Sequence, residues 1–167
     1  MSGAGINPLA RGWRRLHNRL ARMRYFRGHG VHSPFVYTLI REVFMQRKLL
    51  AGDHRLYEVL LAHGIAKQTA LQLQNVATHC RYTHFGLNCA EGEFCLLLPT
   101  LSPTECARLI ARASEEGKTL AILAPYQGRE RWAMCQQAVA QHRSTSVDKR
   151  TYLLLFKNYL PKQEFRL

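Results

Sequence analysis

Hydrophobic residues recur every three or four positions through the first half of the chain, which is the spacing of amphipathic helices. Ser33 is expected to cap one of these helices, because its hydroxyl can accept a hydrogen bond and the following Pro34 needs no N–H at a first helical position. We therefore predict a helical N-terminal region over residues 1–80. Its helices are predicted over residues 9–27, from Pro34 onward, over 53–63 and over 67–79.

Short apolar runs bounded by turn residues replace this pattern after residue 80, as is typical of strands. Helices are predicted between several of these runs, and one of them opens on the capping box Ser102-Pro103-Thr104-Glu105. Strands that alternate with helices form a parallel sheet, whereas the last two strands, with no helix between them, are expected to pair with each other as an antiparallel hairpin. The predicted strands cover residues 82–87, 94–98, 119–124, 151–156 and 164–167.

The predicted fold class is α/β: the N-terminal helical region is followed, over residues 81–167, by a reduced, mainly parallel Rossmann-like sheet of four or five strands with a C-terminal antiparallel hairpin. A chain of 167 residues can bury a real core as one compact unit, and its 47% apolar content is too high for a disordered protein. No apolar stretch approaches the roughly 20 residues that span a bilayer.

The chain is strongly basic, and the excess lies near its beginning. It carries 24 Lys and Arg against 11 Asp and Glu, and the first 50 residues hold ten of the basic residues and one acid, Glu42. A basic amphipathic helix is suited to nucleic-acid phosphates, to an anionic membrane surface or to an organellar transit peptide, and it is also typical of a solvated helix docked on its own domain. The residues predicted to bind nucleic acid are Arg11, Arg14, Arg15, Arg19, Arg22 and Arg24.

Histidine and cysteine give two weaker signals. His29 and His32 flank a glycine next to Ser33, where they either bind an anion or, as we favour, fix the junction between two helices by hydrogen bonds to the backbone. A second group falls within seventeen residues but lacks the paired spacing of structural zinc sites, so no metal is expected. That group is His79, Cys80, His84, Cys89 and Cys95.

Five cysteines without C-x-x-C spacing, and arginines where an export signal would be apolar, favour a reducing compartment. We therefore expect a cytoplasmic protein with free thiols.

Two segments resemble a known family. The string GVHSPFV at residues 30–36, preceded by a basic helix, is similar to the N-terminal signature of a group of bacterial class I S-adenosylmethionine-dependent methyltransferase-like proteins. The string LPKQEFRL at residues 160–167 resembles the last strands of the same group. The resemblance implies a Rossmann-like sheet and, in a working member, S-adenosylmethionine as the cofactor.

The middle of the chain departs from the family's pattern. A working member has a glycine-rich turn and acidic residues around the cofactor, whereas this chain offers only Gly86 and Gly92 as candidate cofactor-binding residues. Leu98-Pro99 and Ala124-Pro125 stand where the family has acids. We therefore expect a shortened, non-catalytic pseudoenzyme that needs no cofactor and binds an acidic partner, either RNA or a ribonucleoprotein.

The alternative is an active S-adenosylmethionine-dependent methyltransferase with an atypical cofactor loop between Gly86 and Gly92. A third hypothesis places the N-terminal helix on an anionic membrane. In each case a sheet that has lost strands exposes an edge, which predicts a homodimer formed through that edge.

Overall fold

The computed structural model of the chain describes residues 33–167. Its helices are α1 (Pro34–Leu39), which continues as a π-helical turn over Ile40–Phe44, α2 (Arg55–Ala62), α3 (Lys67–His79), α4 (Pro103–Glu115) and α5 (Arg129–Gln141). Its strands are β1 (Phe85–Leu87), β2 (Phe94–Leu97), β3 (Thr119–Leu123), β4 (Thr145–Asp148), β5 (Tyr152–Leu155) and β6 (Gln163–Arg166).

The six strands form one mixed sheet of order β1-β2-β3-β5-β4-β6. Strands β1, β2 and β3 are parallel neighbours, β6 is parallel to β4, and only β5 runs antiparallel to the strands on both its sides. The predicted α/β class, with N-terminal helices and a mainly parallel sheet, is confirmed. The sheet has six strands rather than the four or five that we expected.

An antiparallel hairpin is present, but the predicted pairing of the strands at 151–156 and 164–167 is wrong. β5 pairs with β4, and β6 lies on the other side of β4 and parallel to it. The crossover through α5 leaves one strand position between β3 and β4, and β5 fills that position. All four β5 side chains are buried, and pairing on both edges satisfies the backbone groups of a strand that no water reaches.

The sequence pattern did not predict strand β4, because only one of its four residues, Val147, is apolar, although all four are buried. Its polar side chains are hydrogen-bonded: the Asn158 amide donates to the Thr145 hydroxyl at 3.1 Å, and the Tyr126 hydroxyl donates to the Asp148 carboxylate. Burial of polar groups is tolerated when they have such partners. Hydrophobic patterning therefore cannot detect this strand.

Helices cover both faces of the sheet, and each face has its own hydrophobic core. Helices α1, α2 and α3 lie on one face, where Leu60 and Leu73 belong to the same buried cluster as Phe94 and Tyr152 of the sheet. The described part of the predicted helical region, residues 33–80, therefore shares a core with the sheet. Helices α4 and α5 cover the other face, whose buried residues include Cys95, Leu97, Cys106, Ile110, Ala113, Leu120, Ile122, Cys135 and Leu155.

The predicted helix ends are well reproduced. The Ser33 hydroxyl accepts a hydrogen bond from the Val36 N–H at 3.4 Å and caps α1, which confirms the capping role expected of Ser33. Ser102 and Glu105 form a complete capping box at the start of α4. Gly64 follows α2 with a φ of 74°, a left-handed conformation that favours glycine after a helix.

Candidate functional site

A pocket of about 420 Å³ lies at the carboxyl edge of the sheet, the edge at which ligands bind in parallel α/β folds. Pro99 follows β2, Ala124 follows β3, and Thr151 precedes β5 on the sheet side of this pocket. Ile65, in the connection between α2 and α3, lies on the helical side. The volume is in the range of small-molecule sites, and we call this cavity the carboxyl-edge pocket.

The polar groups of the carboxyl-edge pocket come from the start of α3 and from the turn between β4 and β5. Residue Ala66 caps α3 without a side-chain hydrogen bond, and the first intrahelical bond runs from the Ala70 N–H to the Ala66 carbonyl at 3.0 Å. The N–H groups of the first turn therefore lack an acceptor within the helix. Thr69 of this turn and Arg150 both line the pocket.

Arg131 fixes the architecture beside the pocket. Its side chain is buried, with 4% of the residue exposed. The guanidinium donates to the Leu123 carbonyl oxygen at 2.9 Å, to Leu98 at 3.1 Å and to Leu101 at 3.2 Å. Because these carbonyls follow or end strands β2 and β3, this one side chain of α5 ties the two strand ends together. The spacing of apolar residues along α5 does not single out this arginine.

Three side chains form a second polar unit at this edge. The ring of Tyr126 stacks on Trp132 with centroids 4.4 Å apart, and its hydroxyl donates to the Asp148 carboxylate. The other Asp148 oxygen accepts from the Arg150 N–H at 2.7 Å. Asp148 is 7% exposed, so its carboxylate is held by internal donors.

Gly86 lies where the chain crosses over its own strand. Six residues connect the parallel strands β1 and β2, whereas such connections ordinarily need a dozen or more. A Cβ atom on Gly86 would lie 2.4 Å from the Glu91 carbonyl oxygen and 2.6 Å from the Cys89 sulfur. The short connection therefore packs directly on β1, and it can do so only where β1 has no side chain.

Gly92 closes the same loop. It has a φ of 79°, and a Cβ atom there would lie 2.9 Å from the His84 carbonyl oxygen. The Glu93 carboxylate accepts from the N–H and hydroxyl of Thr83 at 2.7 and 2.9 Å, and these hydrogen bonds lower the pKa of Glu93. In this structure both glycines accommodate the protein's own backbone. Their predicted role in cofactor binding stays a prediction.

The cysteines are free and mostly buried. Burial raises the pKa of Cys80 and Cys95 to about 11 and that of Cys135 to about 12, and it also raises the pKa of Cys106. Such thiols stay protonated near neutral pH and are poor nucleophiles. Within residues 33–167 no group of three or more His, Cys, Asp and Glu side chains is arranged to hold a metal ion.

A larger groove of about 790 Å³ lies at the opposite, amino edge of the sheet, between α4 and α5. Arg143, Lys157 and Tyr159 line it, and Tyr159 is 90% exposed. His142 also lines it, with its Nε2 atom 2.8 Å from the Phe156 carbonyl oxygen. Burial lowers the pKa of His142, partly opposed by its backbone hydrogen bonds. This groove is a basic, partly aromatic surface within residues 33–167.

Most of the predicted binding residues lie outside the described range. His29, His32 and the arginines from Arg11 to Arg24 precede residue 33, so only Ser33 of those predicted sites has a described geometry. Leu98-Pro99 and Ala124-Pro125 lie at the carboxyl edge, and Pro99 and Ala124 line the pocket. Sequence reasoning missed Thr69, Arg131 and Arg150, because nothing local distinguishes them from other helix or turn residues.

None of the helices within residues 33–167 has the length and apolar character needed to cross a membrane. Comparison of the chain with protein-family models, with curated proteins and with solved structures found no match.

Proposed function

We propose that this is a non-catalytic, methyltransferase-like protein of the cytoplasm that binds RNA through the arginines of its N-terminal segment. The observation that carries the proposal is the charge distribution: residues 1–32 contain seven arginines and no acid, and all eleven acids of the chain come later. Dense positive charge on one segment attracts a polyanion and contacts phosphates without reading sequence.

Residues 33–167 do not offset this charge, because they contain 17 of the Lys and Arg residues against the 11 acids. Of these acids, Asp53, Glu116 and Glu164 form ion pairs with neighbouring cations. Glu93 and Glu105 are engaged with backbone N–H groups of nearby turns. These five acids serve the local structure, and the chain as a whole keeps a net charge of +13 that attracts an acidic partner.

The connection between β1 and β2 supports the proposal that this protein works without S-adenosylmethionine. The resemblance to methyltransferases would place a cofactor against Gly86, but the protein's own loop lies against this residue. Titration with S-adenosylmethionine tests this point, because a ligand of the native state raises its apparent stability. We expect no rise in the melting temperature at millimolar cofactor, and a clear rise would favour the alternative of an active methyltransferase.

The RNA proposal is tested by removing the six N-terminal arginines together, each replaced by glutamine, and by measuring the affinity for a single-stranded RNA by fluorescence anisotropy at several salt concentrations. Each phosphate contact contributes about 0.7 to the slope of log K against log salt for single strands, so six contacts give a slope of about −4. We expect the variant to lose most of this slope and most of its affinity.

A matched control separates a local effect from a general loss of charge. Six exposed arginines within residues 33–167 are replaced by glutamine in the same way, which changes the net charge equally. These are Arg41, Arg47, Arg81, Arg108, Arg129 and Arg143. Equal losses in the two variants would contradict a specific role for the N-terminal segment, and binding of the parent to anionic vesicles but not to RNA would favour the membrane hypothesis.

A further inference from the structure

We infer that the carboxyl-edge pocket is a binding site for a phosphate monoester of mononucleotide size, with the phosphate at the start of α3 between Thr69 and Arg150. This inference does not depend on the N-terminal arginines. A free mononucleotide and the 5′ end of an RNA both present this group, and the experiment below separates the two sources.

The first argument is the uncapped start of α3. This helix has 13 residues, its N-cap is Ala66, and no side chain accepts a hydrogen bond from its first turn. Two other long helices begin near the carboxyl edge: α4 has its first turn satisfied by Ser102 and Glu105, whereas α5 is capped by Gly128 without a side-chain hydrogen bond, but neither Gly128 nor Arg129 lines this pocket. An open first turn presents free N–H groups together with the positive end of the helix dipole, which favours a phosphate.

The second argument is the hydroxyl of Thr69, which is independent of the helix terminus. Thr69 is 8% exposed and lines the pocket. Within residues 33–167 the Thr69 hydroxyl makes no hydrogen bond. Its oxygen atom is also not fully enclosed by the protein, so part of its surface is accessible. Its residual exposure is therefore toward the cavity. The hydroxyl of a residue this buried is ordinarily paired within the protein, whereas the Thr69 hydroxyl is available to an atom of a ligand in the cavity.

The third argument is charge. Arg150 lines the pocket, and its guanidinium forms no ion pair among the described residues. The nearby acid, Asp148, is already held by Tyr126 and by the Arg150 N–H, and it does not line this pocket. A guanidinium, a hydroxyl and a helix terminus can together serve the three oxygens of a phosphate, which is more than a carboxylate offers.

The remaining lining suits the rest of a nucleotide. Ile65, Pro99 and Leu123 give the cavity apolar walls, and Tyr126 adds a partly exposed ring, with 36% of the residue accessible. Aromatic rings of this kind stack on bases without selecting one. The pocket therefore combines one anionic end with an apolar and aromatic body.

The experiment measures binding of uridine 5′-monophosphate, inorganic phosphate and uridine to the full chain by calorimetry, with ³¹P NMR as a second readout. We expect both phosphates to bind and uridine to bind much more weakly. Hydrogen bonds to charged groups are worth enough that Thr69→Val and Arg150→Gln should each weaken nucleotide binding by about tenfold. Valine keeps the shape of threonine, and far-UV circular dichroism verifies that both variants are folded.

Two controls make the result specific. Thr104→Val removes an exposed hydroxyl from the first turn of α4, and Arg143→Gln removes a cation from the opposite edge, so neither should change the affinity for uridine monophosphate. The inference is overturned if neither phosphate binds at millimolar concentration, or if the pocket variants bind as tightly as the parent.

Matched oligouridines with a 5′-phosphate or a 5′-hydroxyl identify the source of the phosphate. A preference for the phosphorylated RNA that Thr69→Val abolishes would assign the pocket to RNA ends. Binding of the mononucleotide without such a preference would assign it to a free nucleotide. The oligouridine experiment varies only the 5′ end of the RNA and the pocket residue Thr69. It can therefore support the pocket even if replacing the N-terminal arginines leaves RNA binding unchanged. It can equally contradict the pocket even if replacing those arginines abolishes RNA binding.

Discussion

Replacing Arg131 by methionine tests whether one buried cation holds two strand ends together. Methionine fills a similar volume and is also well tolerated in a helix, so the substitution removes the guanidinium with little change in packing. What it removes is the set of donors to the carbonyl oxygens of Leu98, Leu101 and Leu123, at 2.9 to 3.3 Å. A longer contact to the Leu97 carbonyl oxygen at 3.5 Å and a contact to the Cys106 sulfur at 3.3 Å are lost as well.

The expected cost follows from the three carbonyls that lose a charged donor. Each carbonyl left without its donor costs about 1–3 kcal/mol, and the lower half of that range for the three carbonyls bonded within 3.3 Å gives about 3–6 kcal/mol. The cation itself no longer has to be desolvated, which is why the lower half is used. Since a domain of this size is stable by about 5–15 kcal/mol, the variant should be folded but strongly weakened.

Urea unfolding followed by far-UV circular dichroism measures this loss. We expect a lower midpoint with an unchanged slope, and a melting temperature lower by about 6–24 °C at about 2–4 °C per kcal/mol. Arg131→Lys keeps the charge but not the planar fork of five donors, and it should lose at least half as much stability as the methionine variant.

Arg129→Met is the matched control, because Arg129 lies two residues earlier on the same helix and is exposed. It should change the free energy of unfolding by less than about 0.5 kcal/mol. If Arg131→Met unfolds within the same margin of the parent, the hydrogen bonds of Arg131 contribute nothing net and the reasoning fails.

Three further predictions follow from the geometry. Gly86→Ala should destabilise the protein by about 1–3 kcal/mol in urea unfolding, because the new methyl group would overlap the Glu91 carbonyl. An unchanged free energy of unfolding would contradict the crossing-loop role. Burial lowers the pKa of His142 below its ordinary value, so the unfolded state binds the proton more readily and the free energy of unfolding should fall as the pH drops from about 7 to 5. His142→Gln should flatten this pH dependence. A variant with the same pH dependence as the parent would refute the role of His142. Native protein at about pH 8 should resist alkylation at its buried thiols, whereas unfolded protein should react at all five cysteines. Mass spectrometry measures the extent of alkylation at each cysteine. Rapid alkylation of the buried thiols in native protein would contradict their raised pKa values. The thiols expected to resist are Cys80, Cys95, Cys106 and Cys135.

The sequence by itself determined most of the local elements within residues 33–167. Helix α3 runs over the same residues that the apolar spacing predicts, and α4 begins at the proline that follows Ser102. These features depend on groups within a few residues of each other, namely an apolar stripe, a capping hydroxyl and a glycine beyond the last turn. Helices that depend on such local features can therefore be predicted from a single sequence.

Only the tertiary structure decided how the strands are arranged. The position of β5 between β3 and β4 depends on a gap left by the α5 crossover, and β4 is buried through hydrogen bonds that its composition does not reveal. Gly86 is required by a loop that returns over its own strand, not by any turn at that residue. Strand pairing and loop crossing join residues far apart in the chain, so no short pattern encodes them.

The same holds for the carboxyl-edge pocket. Thr69 and Arg150 are 81 positions apart in the chain, and nothing in the local sequence marks either as part of a site. The fold brings them to one cavity because α3 packs on the sheet beside the turn after β4. The binding potential of this pocket is a property of the tertiary structure, whereas the positive charge that leads to the RNA proposal was already present in the sequence.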